Sequence, residues 1–157
     1  MPLQTAQQAE MAVKGAMERL ANDRKAIELA LKVLGHIRAA DRALIDPMQP
    51  TIAVQKSFEE ISEAERLNVN PYLAVGIIRT RQAIDNARKS PATADFGQLR
   101  SVLREYALGP VQRDVVRVAS ALHDETVQWL AVQELIGAHL KSLADITAQS
   151  LRAANEE

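Results

Sequence analysis

The sequence predicts an all-α fold: an elongated bundle of about five helices, long first and last helices flanking three shorter ones, in a single domain over residues 1–157. Three observations predict it. Five of the six prolines, Pro47, Pro50, Pro71, Pro91 and Pro110, stand in the central part of the chain, and proline breaks a helix that tries to run through it. Between them the apolar residues recur at steps of three and four. Aromatic residues are only 3% of a chain that is 47% apolar, so Ala, Leu, Ile and Val must fill an interior built from closely packed helices.

The first helix is expected over 5–45. Val13, Met17, Leu20, Ile27, Leu31 and Leu34 follow alternating steps of four and three, the spacing of a coiled-coil seam, with Arg24 where the series calls for another apolar residue. A cation there must snorkel, pair or set a register. Gly35 is a candidate bend. The second helix is expected over 51–67, with Ile52, Phe58, Ile61 and Ala64 or Leu67 as its buried edge and Glu59, Glu60 and Glu63 outside. Asn70 is a good N-cap and Pro71 suits the first helical position, so a third helix is expected over 71–89, burying Leu73, Ile77 and Ile84, with Arg88 and Lys89 facing its C-terminal dipole. Residues 90–94 form a linker. Asp95 with Gln98 resembles a capping box for a fourth helix over 95–107, which ends near Gly109. Pro110 then opens a fifth, over 110–154, with Val115, Val118, Leu122, Trp129, Ile136, Leu140, Leu143 and Ile146 as its stripe and Gly137 as its weak point.

Length and charge extend this picture. The terminal helices would span roughly 60 and 65 Å at 1.5 Å per residue, whereas a globule of this size measures roughly 40 Å across. Helices that overrun their domain and carry an apolar seam point to a homodimer. The net charge of −1 conceals a segregation. Residues 1–65 hold eight basic and ten acidic residues, residues 66–117 nine against four, and residues 118–157 two against six. Eight of the nine central cations are arginines, which grip carboxylates and phosphates bidentately. Internal pairing with the acidic C-terminal helix is the simpler reading, and an acidic protein partner is the functional one.

The chain has no cysteine, so neither a disulfide framework nor thiolate chemistry is expected. No run approaches ~18 consecutive apolar residues, so no membrane span is expected. The polar start lacks the pattern of a secretory signal, and a cytoplasmic location is expected. His36, His123 and His139 lack carboxylates at metal-ligating helical spacings, and Gly-rich phosphate loops and nucleophile elbows are missing. No metal, cofactor or catalytic residue is therefore assigned.

Three local resemblances bear on function. The stretch from Ile61 to Arg79 has helix-turn-helix spacing, with Ala64 at the close approach, Asn68 at the turn and Leu67, Val69, Ala74 and Ile77 at core positions. Its run Ala64-Glu-Arg-Leu-Asn-Val69 resembles LysR-type bacterial regulators. This resemblance implies DNA binding, with Arg79 and Arg81 on phosphates, but it departs from the pattern where Pro71, Tyr72 and Gly76 would face bases. A tight helix–helix corner is the preferred reading. The succession of one long and two short helices resembles the AroQ-type chorismate mutases and implies arginines, such as Arg24, Arg38 and Arg81, around a small dianion. The expected Arg and Lys spacing along the first helix is missing. The spacing of Arg117 and His123 resembles the Arg…His pair of HEPN-type ribonucleases, without the polar residue usual after the arginine. The leading expectation is a non-enzymatic interaction or scaffold protein that oligomerises through its long helices and contacts its partner through Arg24, Trp129, Arg79, Arg81 and Arg88.

Overall fold

A computed structural model describes residues 3–45, 47–132 and 137–156; for residues 3–7, 9, 10, 130, 132 and 137–143 it describes the backbone course only. The fold is all-α. Helix α1 is Leu3–Ala43, α2 Pro50–Leu67, α3 Pro71–Ala87, α4 Phe96–Leu103, α5 Gly109–Val132 and α6 Gly137–Asn155. A 3-10 turn occupies Pro91–Thr93 and a π-helical turn occupies Arg104–Leu108. The chain divides into two compact units. One comprises residues 29–115; the other is formed by residues 1–28 and 116–157. Among the described residues no helix is long and apolar enough to cross a membrane.

The unit of residues 29–115 has a core of aliphatic side chains and alanines. From α1 come Val33, Leu34, Ile37 and Ala40, with Leu44 just beyond its end; from α2 Ala53, Val54, Ile61 and Ala64; from α3 Ile77 and Ile84. Each fully buried Ile or Leu contributes about 1.5–3 kcal/mol of transfer free energy. The alanines let helix backbones approach, and between α1 and α2 the buried Ser57 hydroxyl donates to the Ala40 carbonyl at 3.0 Å, so the close approach does not leave that hydroxyl unpaired. The buried face of α2 runs through Val54, Ser57, Ile61 and Ala64. Ile52, expected on that face, is 63% exposed, because it lies off this three-and-four series. Phe58 is half-buried.

The corner between α2 and α3 is held by two asparagines. The Asn68 side chain donates to the Asn70 carbonyl at 2.9 Å and accepts from the Asn70 amide at 3.2 Å. Asn70 caps α3 as expected, accepting from the Tyr72 amide at 2.9 Å. Asn68 itself has φ −70 and ψ 126. The left-handed turn that its helix-turn-helix position would use is therefore not formed, and Val69, expected in the core, is exposed. Asp95 caps α4 through the Gln98 amide at 3.0 Å.

The largest departure from expectation is at Pro110, which does not interrupt the helix. Leu103 and Gly109 both keep helical dihedrals on either side of the π turn. Within that turn the Gly109 amide reaches back five residues to the Arg104 carbonyl. A proline is expelled from a helix because it lacks an amide hydrogen and its ring strikes the carbonyl four residues back. A π turn has already abandoned the four-residue register, so Pro110 follows it at little further cost. The carbonyl four residues before Pro110 is that of Tyr106, and it is seated against Gly76 of α3. A Cβ built on Gly76 would overlap the Tyr106 oxygen and lie 3.0 Å from its carbonyl carbon.

The second unit draws Ala16, Leu20 and Ile27 from α1, Ala119, Leu122 and Thr126 from α5, and Thr147, Ser150 and Ala154 from α6 into its buried set. Two of its buried hydroxyls are satisfied within their own helices: Thr126 donates to the Leu122 carbonyl at 2.8 Å and Ser150 to the Ile146 carbonyl at 3.0 Å. Arg19 of α1 pairs with Glu125 of α5. Along α5 the buried series is Val111, Val115, Ala119, Leu122 and Thr126, whereas Val118, expected on the stripe, is only half-buried. Of the remaining expected stripe, Ile136 lies outside the described residues and the side chains of Leu140 and Leu143 are not described.

The backbone contact at Gly76 leaves no room for a methyl group. Gly76→Ala is expected to destabilise the protein by about 2–4 kcal/mol, measured by urea denaturation, whereas the exposed Gly35, whose Cβ position is open, should accept alanine without loss.

Candidate functional site

The outer face of α3 combines exposed apolar area with a fixed cation. Tyr72 and Val75 are 93% and 73% exposed, and Val69 in the preceding turn is 77% exposed. Tyr72, Val75 and Arg79 are spaced by three and four residues and share one helix face. The Arg79 guanidinium lies over the Tyr106 ring, 4.0 Å from its centroid. Tyr106 is therefore joined to α3 twice: its carbonyl meets Gly76 and its ring carries Arg79. Stacking of this kind restrains an arginine while its hydrogen-bonding edge stays open. Gly76, which the helix-turn-helix resemblance would place against bases, is occupied by the Tyr106 backbone.

Five other arginines of the basic centre are engaged with carboxylates of their own unit. Arg100 Nε donates to Asp41 Oδ1 at 3.1 Å, and Arg104 Nε lies 3.4 Å from Asp41 Oδ2. Asp41, with a side chain only 7% exposed, ties the end of α1 to α4 and the π turn. Arg81 pairs with Glu65 and Arg66 with Glu63. Arg88 pairs with Asp85 at 3.0 Å and lies over the Phe58 ring at 3.9 Å. Helices α1, α2 and α3 thus supply these carboxylates, where the simpler reading named the acidic C-terminal helix.

Arg24, the cation in the seam, is half-buried, with Nε 3.5 Å from Glu28 one turn on. Its seam neighbours Leu20, Ile27 and Leu34 are buried within the single chain, which accounts for the seam periodicity. Trp129 is half-buried on α5. Arg24 and Trp129 belong to the unit of residues 1–28 and 116–157, and Arg79, Arg81 and Arg88 to the other. Arg79 sits on Tyr106, while Arg81 and Arg88, the latter capping the end of α3, hold carboxylates, so these three arginines do not form one cluster.

Sequence reasoning missed the surroundings of His36. Its Nδ1 lies 2.7 Å from Glu60 Oε2, and Lys56 Nζ lies 3.0 Å from Glu60 Oε1. The partner comes from a different helix, so spacing along α1 holds no trace of it. The hydrogen bond from His36 holds the Glu60 carboxyl below its ordinary range; burial opposes this and Lys56 reinforces it. His123 lies 3.5 Å from Asp124, its neighbour in sequence, and the side chain of His139 is not described. Among the described residues no group of three or more His, Cys, Asp or Glu is arranged to hold a metal ion.

No family model, no curated protein and no solved structure matches the chain.

Two expectations follow from these ion pairs. Asp41→Asn leaves two arginines without their shared carboxylate and should cost about 1–3 kcal/mol, discounted for the exposure of Arg104; chemical denaturation of the single variant and of Asp41→Asn with Arg100→Gln measures it. Glu60 has a depressed folded-state pKa, so its pair with His36 contributes stability above the ordinary glutamate value of 4.5 and loses it as pH falls through the lower folded value. The difference in stability between the protein and Glu60→Gln should therefore be largest near neutral pH and vanish toward pH ~3, as read from denaturation midpoints across that range.

Proposed function

We propose that this chain is a non-enzymatic helical interaction protein that contacts its partner through the outer face of α3. The partner chemistry that fits is an amphipathic helix with apolar and acidic side chains on one face. The observation that carries this reading is the alignment of the exposed Tyr72 and Val75 with Arg79, restrained over Tyr106. Covering the exposed Tyr72 ring and Val75 removes apolar area from water, and Tyr and Arg are among the residue types that dominate binding energy at protein interfaces. A guanidinium held by a ring loses less freedom on binding a carboxylate than a free one. The excess of basic residues over 66–117 favours an acidic partner on approach.

A displayed library of helical peptides tests the reading. Selected peptides should be acidic, with apolar residues at three- and four-residue spacing. Their affinity should fall about tenfold or more for Tyr72→Ala and for Arg79→Gln, with unchanged unfolding midpoints for both variants. Peptides that bind Tyr72→Ala as tightly as the parent, or salt-dependent binding of duplex DNA with no peptide selected, would count against it.

A further inference from the structure

At the opposite end of α3 from Tyr72, a concavity of about 360 Å³ opens between the start of α2 and the end of α3, lined by Thr51, Gln55, Asp85, Arg88, Lys89 and Pro91. Its position and its lining are independent of the interaction reading. We propose that this concavity binds a small hydroxylated anion, a phosphate or carboxylate group resting on Arg88 and Lys89 and hydroxyls meeting Thr51, Gln55 and Asp85.

The cationic side is set in place by its surroundings. Arg88 is held between the Phe58 ring at 3.9 Å and Asp85 at 3.0 Å, so one guanidinium nitrogen is engaged and the remaining donors keep a fixed direction. Among the described residues no carboxylate pairs with Lys89, the adjacent cation. A planar fork and a point charge side by side suit an oxyanion, one giving geometry and the other charge.

The remaining lining selects the body of the ligand. The Thr51 hydroxyl can donate or accept. Gln55 uses one amide hydrogen on Glu59 at 3.1 Å, which leaves its second hydrogen and its carbonyl oxygen. Asp85 binds Arg88 through Oδ1 and offers Oδ2 as an acceptor. An acceptor carboxylate repels a second anionic group and rewards hydroxyl donors, so an apolar acid or a polyanion fits less well than a sugar phosphate or a hydroxy acid. The volume likewise exceeds what a bare oxyanion would fill.

The test is a titration of the full chain, followed by amide chemical shifts at constant ionic strength, with ribose 5-phosphate, ribose and inorganic phosphate as separate probes. Ribose 5-phosphate should shift the amides of Thr51, Gln55, Asp85, Arg88 and Lys89 saturably, with a midpoint about tenfold or more below that of inorganic phosphate, and Lys89→Gln should raise that midpoint about tenfold. Lys89 is exposed, so its replacement leaves the fold intact, which an unchanged spectrum elsewhere verifies. Shifts scattered over the surface, equal midpoints for ribose 5-phosphate and inorganic phosphate, or a midpoint unchanged in Lys89→Gln overturn the proposal.

Discussion

Helix α3 can receive the π turn only because residue 76 has no side chain. The Tyr106 carbonyl occupies the space a Cβ would take, and this single approach fixes three things together. It sets how closely the π turn lies on α3. It brings the Tyr106 ring under Arg79. It also determines which part of α3 stays open, since the turn covers Gly76 and leaves Tyr72 and Val75 uncovered. A Cα–H group facing a carbonyl oxygen is a weak interaction. Its importance is geometric: removing it pushes two backbones apart and separates every side-chain contact that depends on them.

The charged residues of the same unit follow a related logic. Asp41 is nearly buried, and a buried carboxylate is costly unless its oxygens are both engaged. Arg100 donates to both oxygens, and Arg104 approaches Oδ2 as well. Those two arginines lie four residues apart at the junction of α4 and the π turn, so the same irregular segment is tied to α1 by charge and to α3 by backbone contact. The basic excess of residues 66–117 is in large part the local complement of acidic residues on α1, α2 and α3.

Much of this was legible in the residues, and the illegible parts have physical reasons. Asn70 and Asp95 were recognisable as caps because capping is a local interaction within three residues, and the all-α class follows from apolar spacing. Ile52 was misplaced because two overlapping apolar series pass through α2 and only packing decides which one is buried. Pro110 is expected to open a new helix because the rule for proline assumes an α-helical register, which the π turn before it has left. His36 with Glu60, Arg79 with Tyr106 and Arg88 with Phe58 each join residues 24 to 30 positions apart on different helices, and a single sequence gives no sign of such pairs. Val69 and Asn68 fell short of the helix-turn-helix pattern because the two asparagines bond to each other and hold an extended corner.

The π turn also corrects an angular error. From α4 into α5 the buried residues Leu99, Leu103, Ala107, Val111 and Val115 succeed one another at intervals of four and never three. On an unbroken α-helix each such interval drifts about 40° around the axis, so the last of these residues would face well away from the first. One wider turn in the middle of the series resets the phase and keeps both ends directed at the same interior. An uninterrupted run of four-residue apolar intervals is thus a written record of a helix that must widen, and dropping a single residue between Arg104 and Leu108 would close the π turn to an ordinary α turn while Val111 and Val115 keep their phase.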